Sequence, residues 1–300
     1  MEVFFLQLIN GLRVGSVYSL IALGYTMVYG IIRLINFAHG DFIMVGGYTL
    51  FFTVPLMIAA GMPPYLALLF AVVVCAVVGV SVEKLAYSPV RKRGTKMSTL
   101  ITAIAMSLLL ENLAQVLFGA NPKQVKTILD LPNIGKISGN TLLTIALGLA
   151  VMLALQLFVK GTKMGKSMRA VSEDRQAAIL MGVNVNRTIS ITFAIGSGLA
   201  AVAALMFVVQ YNQVNITMGS MLGLKAFIAA VLGGIGSIPG AMLGGIVIGL
   251  AESLSKAYMG PLTGGLITSA FSDAIVFLIL IIVLLVKPAG ILGKNVGEKV

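Results

Sequence analysis

The chain has 300 residues, of which 58% are hydrophobic and only 10% charged, with a mean hydropathy of +1.03. That composition excludes an ordinary soluble domain, since several apolar runs exceed the roughly 18 residues that mark a transmembrane helix. The net charge of +11 does not indicate nucleic acid, because basic residues gather between the apolar runs, as in the positive-inside pattern of membrane proteins.

Strand-like alternation with polar lumen positions is missing, which argues against an outer-membrane barrel. Cys75, the only cysteine, excludes an intrachain disulfide and any multi-cysteine metal site, and reads as a buried inert thiol. The N-terminus lacks a basic n-region and a clear small-residue cleavage site, so the first apolar stretch is expected to be retained as a span.

The first span is predicted from Phe4 to Ile32. Gly11, Gly15, Gly24 and Gly30 alternate there with Ser16, Tyr18, Ser19, Tyr25, Thr26 and Tyr29. Small and hydroxylated side chains allow close helix approach and interhelical hydrogen bonds, so this span is expected inside the bundle. A polar break, RLINFAHGD (Arg33 to Asp41), precedes a second run from Phe42 to about Ala60. His39 and Asp41 could form a proton relay or a metal site. A stable metal site usually needs three or four ligands, so a helix break whose side chains satisfy freed backbone groups is the favoured reading.

After GMPPY (Gly61 to Tyr65), a third span is predicted to end near Leu85, and Lys84, Arg91, Lys92, Arg93 and Lys96 mark a cytoplasmic loop. The fourth span, Ser98 to about Phe118, carries Glu111 and Gln115 one helical turn apart, on a face expected to point at protein. The loop Gly119 to Gly139 is placed outside, and a fifth span runs from Asn140 to Val159.

A polar island follows, from Lys160 to Arg187, with basic residues at Lys160, Lys163, Lys166, Arg169, Arg175 and Arg187. A short helix can be drawn inside it. Ser172 would be the N-cap, with Glu173 and Asp174 in the first turn opposing the helix dipole and Gly182 as the left-handed C′ residue. Such a helix suits docking to a partner; the plainer reading is a charged loop that fixes topology. GTKMGKS (Gly161 to Ser167) resembles a phosphate-binding P-loop, but only three residues separate its glycines where the motif needs four. No serine-histidine-acid set and no HExxH occurs, so no catalytic residue is assigned.

Beyond the island lies a span from Thr188 to Gln210, then the polar stretch Tyr211 to Lys225. In the run that follows, Gly236, Gly240 and Gly244 recur every four residues, as do Gly245 and Gly249, suggesting close-packing faces. Pro239 makes this either a kinked helix or two half-helices. The last span is predicted at Ser272 to Val286. If Arg187 and Lys287 are both cytoplasmic, the crossings between them must be even in number. Only three apolar runs are visible, so one is re-entrant or split, and the Gly-Ser-Ile-Pro-Gly break is the best candidate.

The run EDRQAAILMG resembles the cytoplasmic coupling motif of ABC importer permeases, EAA-x-x-x-G. Gln176, Ala177, Ala178 and Gly182 hold that spacing, with Gln in place of Glu, and the later Leu-Pro is missing. Together with ALGYTMVYGIIRLINFAHGDF, the island and its following span, and AAVLGGIGSIPGAMLGGIVIGLAESL, it makes the chain similar to the high-affinity branched-chain amino acid permeases of bacteria over essentially its whole length.

The resemblance implies one all-α, polytopic membrane permease domain over residues 1–300, with about eight apolar helical segments, some broken or re-entrant, in the bacterial inner membrane. It implies a second, homologous permease subunit, two cytoplasmic ATPases and a periplasmic amino-acid-binding protein as partners, with no cofactor and no metal. Coupling would fall to Ser172, Glu173, Asp174, Gln176, Ala177, Ala178 and Gly182. The breaks holding Asn36, His39 and Asp41, and Gly236 and Gly240, would flank the translocation path. Rival classes are a proton-coupled secondary transporter using His39, Asp41 or Glu111, and an intramembrane enzyme.

Overall fold

The structure, a computed structural model, describes residues 2–264 and 271–293. Twelve α-helices are described: α1 (Glu2–Ile32), α2 (His39–Ala59), α3 (Ala67–Val82), α4 (Ser88–Arg93), α5 (Lys96–Phe118), α6 (Gly139–Gly161), α7 (Lys163–Glu173), α8 (Arg175–Leu180), α9 (Val185–Tyr211), α10 (Met218–Gly233), α11 (Ile238–Leu262) and α12 (Ser272–Val286). Seven segments are long and apolar enough to cross a membrane, and α10 and α12 are shorter apolar helices. The protein is an all-α, multi-pass membrane protein.

α1 is the core of the bundle. Nearly every residue from Gly15 to Val28 is buried, because its glycines and serines let neighbouring backbones approach. On α11, Gly245 and Gly249 lie against Ser19 and Gly15, so the two helices run antiparallel in direct backbone contact. The apolar stretch of α9 is buried over most of its length, while that of α5 is largely exposed.

Helix ends follow local chemistry. Thr95 accepts from Ser98 N (3.2 Å) to start α5, and Asn184 accepts from Arg187 N (3.0 Å) to start α9. α9 ends at Asn212, whose left-handed backbone (φ 49°) turns the chain. A two-residue ladder follows, in which Lys123 and Gln124 pair antiparallel with Val214 and Gln213. It joins the loop after α5 to the loop after α9 at one end of the bundle.

The glycine-rich run beyond Lys225 is split. Gly234 and Gly236 have positive φ (104° and 95°), Ser237 caps α11 by accepting from Gly240 N (3.2 Å), and Pro239 sits in the first turn, where no backbone donor is lost. The two-half-helix reading therefore holds, and four helices, α9 to α12, separate Arg187 from Lys287. The chain after α12 returns to the split, where Ile291 and Leu292 donate to the Leu232 and Gly233 carbonyls (2.8 and 3.0 Å). Gly236 does not share the packing face expected of it. It lies in the break, whereas Gly240 and Gly244 pack on Gly233 and Ala229 of α10.

Three further expectations need correction. The third span does not end near Leu85: a π-helical turn, Glu83–Tyr87, carries the helix on into α4. Glu111 and Gln115 do not share a protein-facing surface. Glu111 accepts from the Ser220 hydroxyl, but Gln115 is exposed, because α5 touches the bundle only along a thin edge. Lys225 does not end a polar stretch ahead of a span; it lies midway along α10.

Candidate functional sites

One end of the bundle gathers the basic residues. A cavity of about 400 Å³ lies there between the end of α1 (Ile31 to Leu34), the α4–α5 corner (Arg91, Gly94, Thr95) and Val171 to Arg175. Arg33, in a left-handed conformation (φ 56°), donates to the Ser172 carbonyl (3.3 Å), and Arg175 reaches the Ile31 carbonyl (3.5 Å). Arg91 pairs with Glu83 (3.2 Å), which also accepts from Ser190 on α9 (2.9 Å). Burial, with Arg91 and Arg33 nearby, lowers the pKa of the Arg175 guanidinium from its ordinary value.

The island folds as two helices rather than one. Thr162 starts α7 by accepting from Gly165 N (3.0 Å), so the P-loop-like GTKMGKS forms a helix–helix junction. Met164, Met168 and Val171 recur at helical spacing, and Met168 and Val171 are buried. Ser172 is not an N-cap: it lies within α7 and donates to the Arg169 carbonyl (2.7 Å). Glu173 closes α7 instead of opening a first turn. Asp174 is the cap. Its extended backbone (φ −149°) breaks the helix, and one carboxylate oxygen accepts from Gln176 N (2.7 Å) and Ala177 N (3.1 Å).

Gly182 holds the predicted left-handed C′ place (φ 80°). Its N–H meets the Ile179 carbonyl, and the N–H of Val183 meets that of Ala178, which closes a Schellman motif. Ala178 is buried, Gln176 and Ala177 are exposed, and Ile179, Leu180 and Met181 stand 58%, 87% and 83% exposed.

The break between α1 and α2 is spanned by backbone bonds, His39 N to Asn36 O (3.1 Å) and Asp41 N to Ala38 O (3.2 Å). Asn36 accepts from the Tyr87 hydroxyl (2.6 Å). His39 fills the space above Gly24, with its ring 4.6 Å from that of Tyr25 and close to the Ile21 backbone. Asp41 leaves Oδ2 unpartnered. Gly236 lies instead beside Gly30, and six helical residues separate Gly24 from Gly30, about 240° around α1. The two breaks therefore meet different faces of α1. Among the described residues, no three His, Cys, Asp or Glu side chains gather as a metal site requires.

A buried ionic network was not legible in the sequence. Glu252 on α11 accepts from Tyr18 on α1 (2.6 Å), Lys225 on α10 (2.9 Å) and Lys256 one turn on (2.5 Å); Lys225 also pairs with Asp273 on α12 (2.7 Å). Four helices thus share one cluster, in which Lys225 and Glu252 are buried. Charges this deep persist only when paired. The available signal was two ionisable residues inside apolar runs, Lys225 and Glu252.

An interior glycine-rich helix, a split helix with its break at the basic end, and a capped, solvent-facing corner make this a multi-pass helical membrane protein of the permease class. A family model described as "Branched-chain amino acid transport system / permease component" matches residues 7–284, and the chain belongs to that family. It is 42% identical to the high-affinity branched-chain amino acid transport system permease protein BraD of Pseudomonas aeruginosa, across 98% of this chain and 97% of that one. It is 41% identical to LivH of Escherichia coli, a permease protein of the same description (99% and 98% covered). A probable branched-chain amino acid transport permease protein LivH of Methanocaldococcus jannaschii is 32% identical (92% and 88% covered).

Proposed function

We propose that this chain is the membrane-spanning permease of an ATP-driven importer for leucine, isoleucine and valine, forming one permease domain over residues 1–300 of a bacterial inner-membrane protein. Its relatives over nearly the full length carry that substrate class in their names. Hydrolysis belongs to two cytoplasmic ATPase subunits, and delivery to a periplasmic binding protein. A second, homologous permease completes the path.

Coupling is assigned to the α7–α8 corner, with Asp174 as its cap and Gln176, Ala177, Ala178 and Gly182 along α8. One observation carries this: Ile179, Leu180 and Met181 project as large exposed apolar side chains from a capped corner at the basic end. Exposed apolar side chains grouped on a polar element mark a docking surface. Ser172 and Glu173 support the corner from α7. Asn36, His39 and Asp41, at the first break, and Gly236 and Gly240, at and just after the second, are assigned to the flanks of the translocation path.

Gly182→Leu tests the coupling role. No atom crowds a Cβ at that position, so the cost is the backbone's alone, about 1 kcal/mol or more for a left-handed residue. The variant should reach the membrane at normal levels yet show reduced ATPase stimulation by loaded binding protein, with reduced uptake. Normal values of both would remove α8 from the coupling surface. A proton-coupled carrier is the rival reading, favoured by the buried polar atoms of His39 and Asp41.

A further inference from the structure

At the end of the bundle away from the island, a small cavity of about 70 Å³ opens between α1, α9 and α11. Arg13, Val17, Met206, Phe207, Gln210 and Tyr211 line it, and the Glu252 network forms its floor. The charges around it do not balance. Lys225 and Lys256 are held by Glu252 and Asp273, but among the described residues no carboxylate lies within ion-pair reach of Arg13. The cavity therefore carries one guanidinium in excess, beside an apolar wall.

Its depth is informative. Ile31, whose carbonyl Arg175 reaches, marks the basic end of α1. Arg13 lies 31 − 13 = 18 residues earlier, about 27 Å along the helix axis. A bilayer's hydrocarbon core is about 30 Å thick, so Arg13 stands near its far boundary, where a solute arriving from that side first meets the protein. Tyr211, 51% exposed, lies at the mouth.

We propose that Arg13 is the entry-side anchor for the α-carboxylate of an apolar amino acid, whose side chain lies along Val17, Met206 and Phe207. A guanidinium presents a planar fork of donors that matches a carboxylate in two parallel hydrogen bonds. Gln210 and the Tyr211 hydroxyl offer acceptors for the ammonium group. At its present volume the cavity holds about two waters, so a whole leucine needs a wider opening than this structure has. The proposal rests on the reading that this permease carries amino acids.

The test compares wild type, Arg13→Gln and Arg13→Lys in the complete importer reconstituted in proteoliposomes. L-leucine uptake and binding-protein-stimulated ATPase activity are measured together. Loss of a charged hydrogen-bonding partner should lower uptake by Arg13→Gln about tenfold or more, while at least half of the stimulated ATPase activity remains. Arg13→Lys keeps the charge without the fork and should fall between the two. Should Arg13→Gln fail to accumulate, Arg13→Lys decides alone, by reduced uptake with intact stimulation. Uptake within twofold of wild type in the variants would overturn the proposal. So would a parallel loss of uptake and stimulation, which would make Arg13 part of the docking or assembly surface. A wild-type complex that moves another carboxylate solute but no branched-chain amino acid would refute the substrate reading alone, and the same variants would then be compared on that solute.

Discussion

Gly249 of α11 lies so close to Gly15 of α1 that a methyl group on Gly249 would meet the Gly15 backbone. The contact continues along both helices: Gly245 faces Ser19, and the Ser253 hydroxyl donates to the Gln7 carbonyl (2.9 Å). In a membrane, where lipid is as apolar as a leucine surface, such backbone proximity is a main source of helix association.

Gly249→Leu should therefore separate α1 from α11 and destabilise the protein by about 3 kcal/mol or more, as overpacking at a rigid contact does. Gly161→Ala, where a Cβ meets nothing within 4 Å, should leave stability unchanged or slightly raised. Thermal unfolding of the purified variants in one detergent, with membrane yields, checks the pair. Equal midpoints would mean the α1–α11 contact does not hold the bundle together.

Asp174→Ala and Ser172→Ala separate the observed cap from the one the sequence suggested. Removing Asp174 frees two amides and should loosen α8 by about 1 kcal/mol, seen as faster hydrogen exchange or proteolysis between residues 175 and 182. Removing the Ser172 hydroxyl deletes a bond to its own helix and should change that exchange little. The reverse order would restore Ser172 as the cap.

The Glu252 network predicts an asymmetry. Glu252→Ala removes the acceptor of three donors at a buried site and leaves Lys225 with Asp273 alone; a cost of about 3 kcal/mol is expected. Lys256→Ala removes a half-exposed partner and should cost less than about 1 kcal/mol. Unfolding midpoints report both, and a larger loss from Lys256→Ala would show that the lysine, not the carboxylate, organises the cluster.

Much of this was readable beforehand, where one residue type has one physical use. Glycines repeating in α1 and α11 announced close packing, Pro239 with its flanking glycines announced the split, and Gly182 announced a left-handed stop. In the island the sequence points to Ser172 as the cap where the structure has Asp174, because both residue types suit that role. Only the extended backbone at Asp174 decides between them, although Met164, Met168 and Val171 already carried the period of a preceding helix. Sequence alone places Lys225 at the edge of a polar stretch, because its partners lie 27 and 48 residues further on, where composition gives no pairing signal. Gln115 shows the opposite failure: spacing fixed its helical face, but not whether protein would cover it.

The energy source of transport tests the account most directly. The permease, reconstituted with its ATPase partners and second permease in proteoliposomes, should take up labelled L-leucine only when ATP and loaded binding protein are both supplied. Uptake should be unchanged by a protonophore, because no step of the account moves a proton through His39 or Asp41. Uptake by the permease without ATP, driven by an imposed pH gradient and abolished by the protonophore or by His39→Ala, would contradict it.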